Sequence, residues 1–306
     1  MPRTLSLGLS PGLLAGIAAY TMWGFFPVYF KATQGVDPVE LVAHRIVWSL
    51  PFGFLILVFR RQLRDTLAAL RDWAVTKWLV VASLFMAGNW GLYIWAIQVD
   101  RIFEASLGYY INPLMYVLVG VWFFGESLTR LQLVAVALAV VGVSWLTVAG
   151  GAFPWVSLTL ATSFTIYGVI RKQVVVGAMP GLFIEVLVLW LPAAAYLAWL
   201  VGSGKSPFLA GDAGLDALLL FAGPLTVMPL LCFAVAARKL RLSTVGFLQF
   251  VGPTLQFFCG LYYGEPFTPA YAVCFAFIWS AVAVFLFAAL NRNRVGEEIA
   301  DQIRQT

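Results

Sequence analysis

The chain has 306 residues, 62% of them hydrophobic and 11% charged, with a net charge of +5. Soluble domains run at roughly 45–50% apolar and about 25% charged, so a water-soluble fold is excluded and the bilayer must solvate most of the surface. The basic residues sit in short clusters between apolar runs, a pattern of membrane topology signals that argues against a nucleic-acid partner.

Apolar stretches of spanning length fall, in chain order, at 11–30, 39–59, 78–98, 103–124 and 131–149, then at 153–170, 180–201, 215–237, 243–263 and 270–290. The first has no small-residue cleavage site after it and reads as a first span rather than a removable signal. Most connections are short; only 60–77 and 202–214 are longer, and the polar stretch 291–306 is expected to continue the last helix as a cytoplasmic tail. With the N-terminus placed inside, the inner segments hold fifteen Lys and Arg residues, the outer segments three (Lys31, Arg101 and Lys205), and Arg45 lies within a span. That asymmetry places both termini on the cytoplasmic side and fits an even number of spans.

The two sets of five spans echo each other. Pro113, Gly120 and Gly125-Glu126 in the first half match Pro253, Gly260 and Gly264-Glu265 in the second, at offsets of 139–140 residues. Ala105-Ser106-Leu107-Gly108 echoes Ser243-Thr244-Val245-Gly246, and Tyr20-x-x-Trp23-Gly24 echoes Phe164-x-x-Tyr167-Gly168. Five is odd, so the halves insert in opposite orientations. The predicted fold is therefore an all-α membrane protein of ten transmembrane helices in two inverted repeats, 1–150 and 151–290. Such pseudo-symmetry lets one fold open to either side in turn, with a solute site near the midplane.

Charged groups within spans are costly, at roughly 2.5–3.5 kcal/mol each, and single out His44, Arg45, Glu104 and Glu185. Arg45 is expected to bind or gate a substrate, or else to pair with Glu104. Glu185 matches the region of Ala43–Arg45 by the repeat offset. It reads as a proton carrier or cation-recognition group, or as the partner of Arg171 or Lys172. His44 is either a hydrogen-bonded helix contact or a titrating switch. Tyr20, Trp23, Trp48, Trp90, Tyr93, Tyr109, Tyr167 and Trp190 lie deep in spans, where polar-tipped rings line solute cavities; Asn89, Asn112 and Gln249 add amides that orient a polar group, and the alternative for each of these residues is plain helix packing. Trp73, Trp78 and Trp155 fall at span ends, as an interfacial belt does. Seven prolines interrupt spans, and Pro113 and Pro253 stand out because the repeat makes them equivalent. Gly12-x-x-x-Gly16 has the spacing of a helix-packing motif. Cys232, Cys259 and Cys274 each lie alone in an apolar run and read as core residues. Gly204-Lys205-Ser206 lacks the leading glycine of a phosphate loop, since position 199 is Trp199, and no cofactor or metal is expected.

His44-Arg45-x-x-Trp48-Ser49, Gly88-Asn89-Trp90, Glu104-Ala105-Ser106-Leu107-Gly108-Tyr109-x-Ile111-Asn112-Pro113-Leu114 and Leu242-Ser243-Thr244-x-Gly246-Phe247-x-Gln249 resemble the RarD branch of EamA-type transporters, in the drug/metabolite transporter superfamily. The resemblance runs over residues 10–290. Phe250 stands where the family pattern leads one to expect tyrosine. The resemblance implies ten helices around a central cavity in a bacterial inner membrane, and export or exchange of small metabolites or drugs. The functional expectation is a secondary transporter, monomeric or homodimeric, for a small solute. A zwitterion would suit it, with a carboxylate meeting Arg45 and an amine or a proton meeting Glu104 or Glu185. The rival readings are a membrane sensor or assembly subunit, which would lack a polar cavity, and an intramembrane enzyme, for which the usual catalytic sets are missing.

Overall fold

The computed structural model describes residues 10–305 apart from 126, 128 and 241, so Arg3, Glu126, Arg241 and Thr306, which the sequence reading used, lie outside the described residues. Thirteen helices are formed among the described residues: α1 (Pro11–Gly24), α2 (Phe26–Ala32), α3 (Pro38–Phe59), α4 (Leu63–Arg71), α5 (Trp73–Gln98), α6 (Ile102–Phe124), α7 (Arg130–Gly150), α8 (Trp155–Gln173), α9 (Ala178–Gly202), α10 (Ala213–Lys239), α11 (Leu242–Leu248), α12 (Val251–Tyr262) and α13 (Pro269–Gln305). Nine segments among them are long and apolar enough to cross a membrane, the stretches Pro11–Ala32 and Thr244–Tyr262 each counting as one. The 19-residue α8 is long enough too, but carries Ser157, Thr159, Thr162, Ser163 and Thr165. Large apolar side chains such as Phe59, Trp122, Phe123 and Val148 are exposed, as a lipid-facing surface requires.

Helix ends follow local chemistry. Asp37 caps α3 by accepting from Val39 N at 2.8 Å, with Pro38 at the first helical position. Thr129 and Gln132 form a capping box at the start of α7. The repeated Gly-Glu motif has a backbone cause: Gly125 (φ +64°) closes α6 and Gly264 (φ +75°) follows α12, both in the left-handed region that glycine adopts without strain.

Three features depart from the sequence reading. The connection 60–77 contains α4, a nine-residue helix whose Leu63, Leu67 and Leu70 share a face opposite Asp65, with Arg64 and Arg71 to one side. Span one is broken at Phe25, just before Pro27, whose missing N–H cannot continue the ladder. Span nine is broken at Gln249-Phe250, between α11 and α12. Pro253 lies just past that break, whereas Pro113 sits inside an unbroken α6, so the equivalent prolines have different effects.

The chain forms two compact units, one of Met1–Thr76 with Val176–Leu255, the other of Lys77–Val175 with Gln256–Thr306, so each draws on both halves of the sequence repeat. In the first unit α3 packs on α9 and α10, α1 packs on α10 and α11, and α4 packs on α9. In the second, α6 packs on α8 and α7 on α13. Each unit thus contains one closely packed pair drawn from distant parts of the chain, α3 with α9 and α7 with α13. Small residues permit these approaches. A Cβ on Gly53 would meet Phe183 Cδ2 at 3.1 Å, one on Gly142 would meet Phe277 Cβ at 2.9 Å, and one on Gly223 would collide with the Trp48 carbonyl. Gly12 and Gly16 lie against Lys239 and Leu248, which is the packing role their spacing suggested.

Candidate functional site

In the first unit the polar groups gather along α3. Glu40, His44 and Trp48 recur every four residues and so share one face of the helix. Trp48 Nε1 donates to His44 Nδ1 at 2.9 Å, which fixes the proton of a neutral imidazole on Nε2. That Nε2 lies 3.8 Å from Glu40 Oε1, and Glu40 accepts from Ser206 Oγ in the α9–α10 connection. Phe208 of the same connection packs edge-on against the His44 ring, with centroids 4.8 Å apart. His44 is fully buried and Arg45, next in sequence, is 4% exposed. Arg45 Nε donates to Thr226 Oγ1 on α10 at 3.0 Å, and its guanidinium lies 5.5 Å and 5.6 Å from the Phe26 and Phe30 ring centroids of α2. Two ring faces and a hydroxyl replace part of the hydration this cation loses inside a span.

Glu185 is buried on α9, the helix packed against α3. It precedes Pro192 by seven residues, as His44 precedes Pro51. Tyr20 and Trp23 on α1 make an aromatic cluster with Phe233 on α10, at centroid distances of 5.3–6.2 Å. Both sit close to the break at Phe25. A Cβ on Gly24 would meet Leu255 Cβ at 2.6 Å, which sets the broken first span against α12, and Gln249 lies half-buried at the break before α12. Discontinuous helices of this kind line solute and ion sites in transporters.

In the second unit α8 supplies the polar groups. Asn89 Nδ2 on α5 donates to Leu160 O at 3.0 Å and to Ser163 Oγ at 2.9 Å, while Tyr109 OH on α6 donates to Asn89 Oδ1 at 3.4 Å. Asn112 Oδ1 on α6 accepts from Thr165 Oγ1 at 2.8 Å. Both amides, expected to orient a solute, hold α5 and α6 to α8. The rings of Tyr93, Tyr109, Phe164 and Tyr167 follow one another at centroid distances of 5.5–6.1 Å, and Trp90 is half-buried beside Asn89. Glu104 pairs with Arg101 at 3.1 Å near the start of α6, and Arg101 lies between the rings of Trp95 and Trp155, 5.7 Å from each.

The sequence-derived site residues thus divide: Tyr20, Trp23, His44, Arg45, Trp48, Glu185 and Gln249 lie in the first unit, and Asn89, Trp90, Tyr93, Glu104, Tyr109, Asn112 and Tyr167 in the second. Sequence reasoning missed Thr226, Phe26 and Phe30 around Arg45, and Glu40, Ser206 and Phe208 around His44. Glu40, three residues from Asp37, looks like a span-edge charge, and only its i, i+4 spacing to His44 hinted at a pair. The hydroxyl and phenyl groups carry no charge signal at all.

Residues 10–148 match the model of the EamA-like transporter family. An uncharacterized transporter of Vibrio cholerae is 45% identical over 90% of this chain and 91% of its own length. Protein RarD of Escherichia coli K12 is 40% identical over 92% and 96%, and the chloramphenicol-sensitive protein RarD of Pseudomonas aeruginosa is 36% identical over 89% and 92%. A solved crystal structure aligns with a TM-score of 0.58 at 20% identity over 90% of this chain and 97% of that one, which shows a shared fold. Apolar spanning helices and transporter relatives together define a multi-pass membrane transporter. The chain belongs to the RarD branch of the EamA-like transporters, within the drug/metabolite transporter superfamily.

Proposed function

We propose that the chain is a secondary transporter with ten spans and cytoplasmic termini in a bacterial inner membrane, moving a small zwitterionic organic solute by alternating access. The observation that carries this reading is Arg45: a guanidinium fixed deep in a span by Thr226 and flanked by Phe26 and Phe30. A guanidinium presents five N–H donors in a fork that matches a carboxylate. The acidic counterpart for the solute's amine is Glu185 on the adjoining α9, and the Tyr20–Trp23 cluster supplies flat apolar contact. Support for the inverted repeat comes from the packing of α3 on α9 and of α7 on α13, and from the matched left-handed glycines Gly125 and Gly264. Support for ten spans comes from α8, whose Ser157 and Thr165 are buried against α6 and whose Ser163 bonds to Asn89 of α5. Support for the membrane and the direction of the termini comes from the fifteen-to-three distribution of basic residues.

The test is uptake of labelled amino acids, amines and chloramphenicol (the last because a relative is named for sensitivity to it) into proteoliposomes holding wild type or Arg45→Ala. Saturable uptake of one class by the wild type, lost in the variant, is expected. Transport that Arg45→Ala leaves unchanged removes Arg45 from the site.

A further inference from the structure

The start of α6 lacks a side-chain cap of its own, because Arg101 stands at the capping position without such a bond. Glu265, 162 residues on in the α12–α13 connection, takes that role: its Oε2 accepts from Phe103 N at 3.0 Å, and its carboxylate also accepts from Ile102 N. The next residue, Glu104, is 6% exposed; it meets Arg101 through Oε1, its carboxylate also accepts from Val156 N, and its Oε2 is buried. Glu265 is 8% exposed. Two buried carboxylates therefore gather at one helix end, and one guanidinium, that of Arg101, pairs with Glu104.

Isolated buried charge is expensive, and like charges at one site do not both ionise readily. With Arg101 neutralising one carboxylate, the pair is one positive charge short. We infer that Glu104 and Glu265 form a proton-binding site that takes up one proton per chain from water. A hydrated proton gives up its H⁺ to a carboxylate oxygen, forming one O–H bond; Gly260 and Phe103 keep the Glu265 backbone and side chain in place whether or not it is charged.

The charges acting on Glu265 are those of Glu104 and Asp100 around the start of α6; Tyr271 from α13 faces both Glu104 and Glu265, with Arg101 near it. Burial pushes the Glu265 carboxyl up to about 7; the two amide bonds work against that rise, and the charges of Glu104 and Asp100 add to it. The positive end of α6 also favours the charged form, so the rise means that burial and the second carboxylate win. The repeat-equivalent stretch Arg238-Lys239-Leu240-Arg241 is cationic instead, so the pair belongs to one side of the repeat only. Use of this proton to drive transport rests on the transport reading; binding of the proton does not.

Proton uptake by the purified full-length protein tests it without any solute. Wild type is expected to bind about one proton more than Glu265→Gln as pH falls across about 7. Glutamine keeps an oxygen for Phe103 N, so the cap survives the change. In Glu104→Gln the midpoint of uptake moves to lower pH, because the repelling neighbour is gone. Infrared difference spectra across the same step show a protonated-carboxyl C=O band that Glu265→Gln lacks, and this reading holds at whatever stability the variants have. Equal proton uptake in wild type and Glu265→Gln, or a midpoint that follows sodium concentration rather than pH, would overturn the assignment.

Discussion

Replacing Arg45 with methionine separates its structural role from its role in binding, because the two predict opposite outcomes. An arginine in mid-span costs roughly 2.5–3.5 kcal/mol on insertion scales. In this structure that cost is offset by the Thr226 bond, about 1.5–3 kcal/mol for a charged donor. The Phe26 and Phe30 faces add roughly 0.5–2 kcal/mol each. These offsets equal the cost or exceed it by a few kcal/mol, and methionine, filling much of the same volume against the two rings, recovers about 1.5–3 kcal/mol of that excess by its own burial. Thr226 Oγ1 is left satisfied by its own bond to Ala222 O at 2.8 Å, so no buried hydroxyl donor is orphaned. Arg45→Met is therefore expected to change stability by about 1 kcal/mol or less, a Tm shift of no more than a few degrees in detergent. Transport has no such compensation. Losing a charge-assisted bond of about 1.5–3 kcal/mol to a solute carboxylate lowers kcat/KM by about 10- to 150-fold. The assay is uptake into proteoliposomes alongside a melting curve on the same preparation. A large fall in Tm with transport lost in proportion would make Arg45 a structural cation, and undiminished transport would refute the reasoning outright.

Other outcomes follow from single contacts. Thr226→Val leaves Arg45 Nε without its hydroxyl and is expected to cost about 1.5–3 kcal/mol, read as a lower Tm, with Arg45→Met/Thr226→Val restoring most of it. Gly108→Leu drives a side chain into Ser157 O, which a Cβ alone would meet at 2.8 Å, and disturbs the Ser157 Oγ bond to Glu104 O at 2.7 Å; loss of about 1–3 kcal/mol is expected in the same assay. Asn89→Leu removes the bonds to Leu160 O and Ser163 Oγ, each worth about 0.6 kcal/mol on average between membrane helices, so a Tm drop of a few degrees is expected. Glu265 binds its proton more tightly in the folded chain than in the unfolded one, since its carboxyl is raised from 4.5 to about 7. Its contribution is full below pH 4.5 and is lost as pH rises through about 7, so wild-type Tm falls across that window while Glu265→Gln stays flat.

The spans were legible because length and apolarity are properties of the chain itself, and most helices begin and end within a few residues of the expected bounds. Gly125 and Gly264 were singled out by their motif, and their left-handed backbone shows why glycine is needed there. The helix breaks were not legible. Pro27 breaks its span while Pro51, Pro113, Pro192, Pro224 and Pro229 lie inside helices, since neighbouring groups decide whether a lost N–H ends the ladder. Arg45 and Glu104 could be picked out as costly charges, but their surroundings could not. Thr226 lies 181 residues from Arg45 and Glu265 lies 162 residues from Phe103, and no local pattern reports contacts of that range. Asn89 and Asn112 looked available for a solute because an amide in a span has to bond to something, and the partners on α8 became visible only with the fold.

The most direct test of the transport claim is efflux from proteoliposomes preloaded with a bacterial metabolite extract and followed by mass spectrometry. At least one small zwitterionic solute is expected to leave saturably and faster than from protein-free vesicles or from vesicles holding Arg45→Met. Efflux of every solute at the protein-free rate would contradict it.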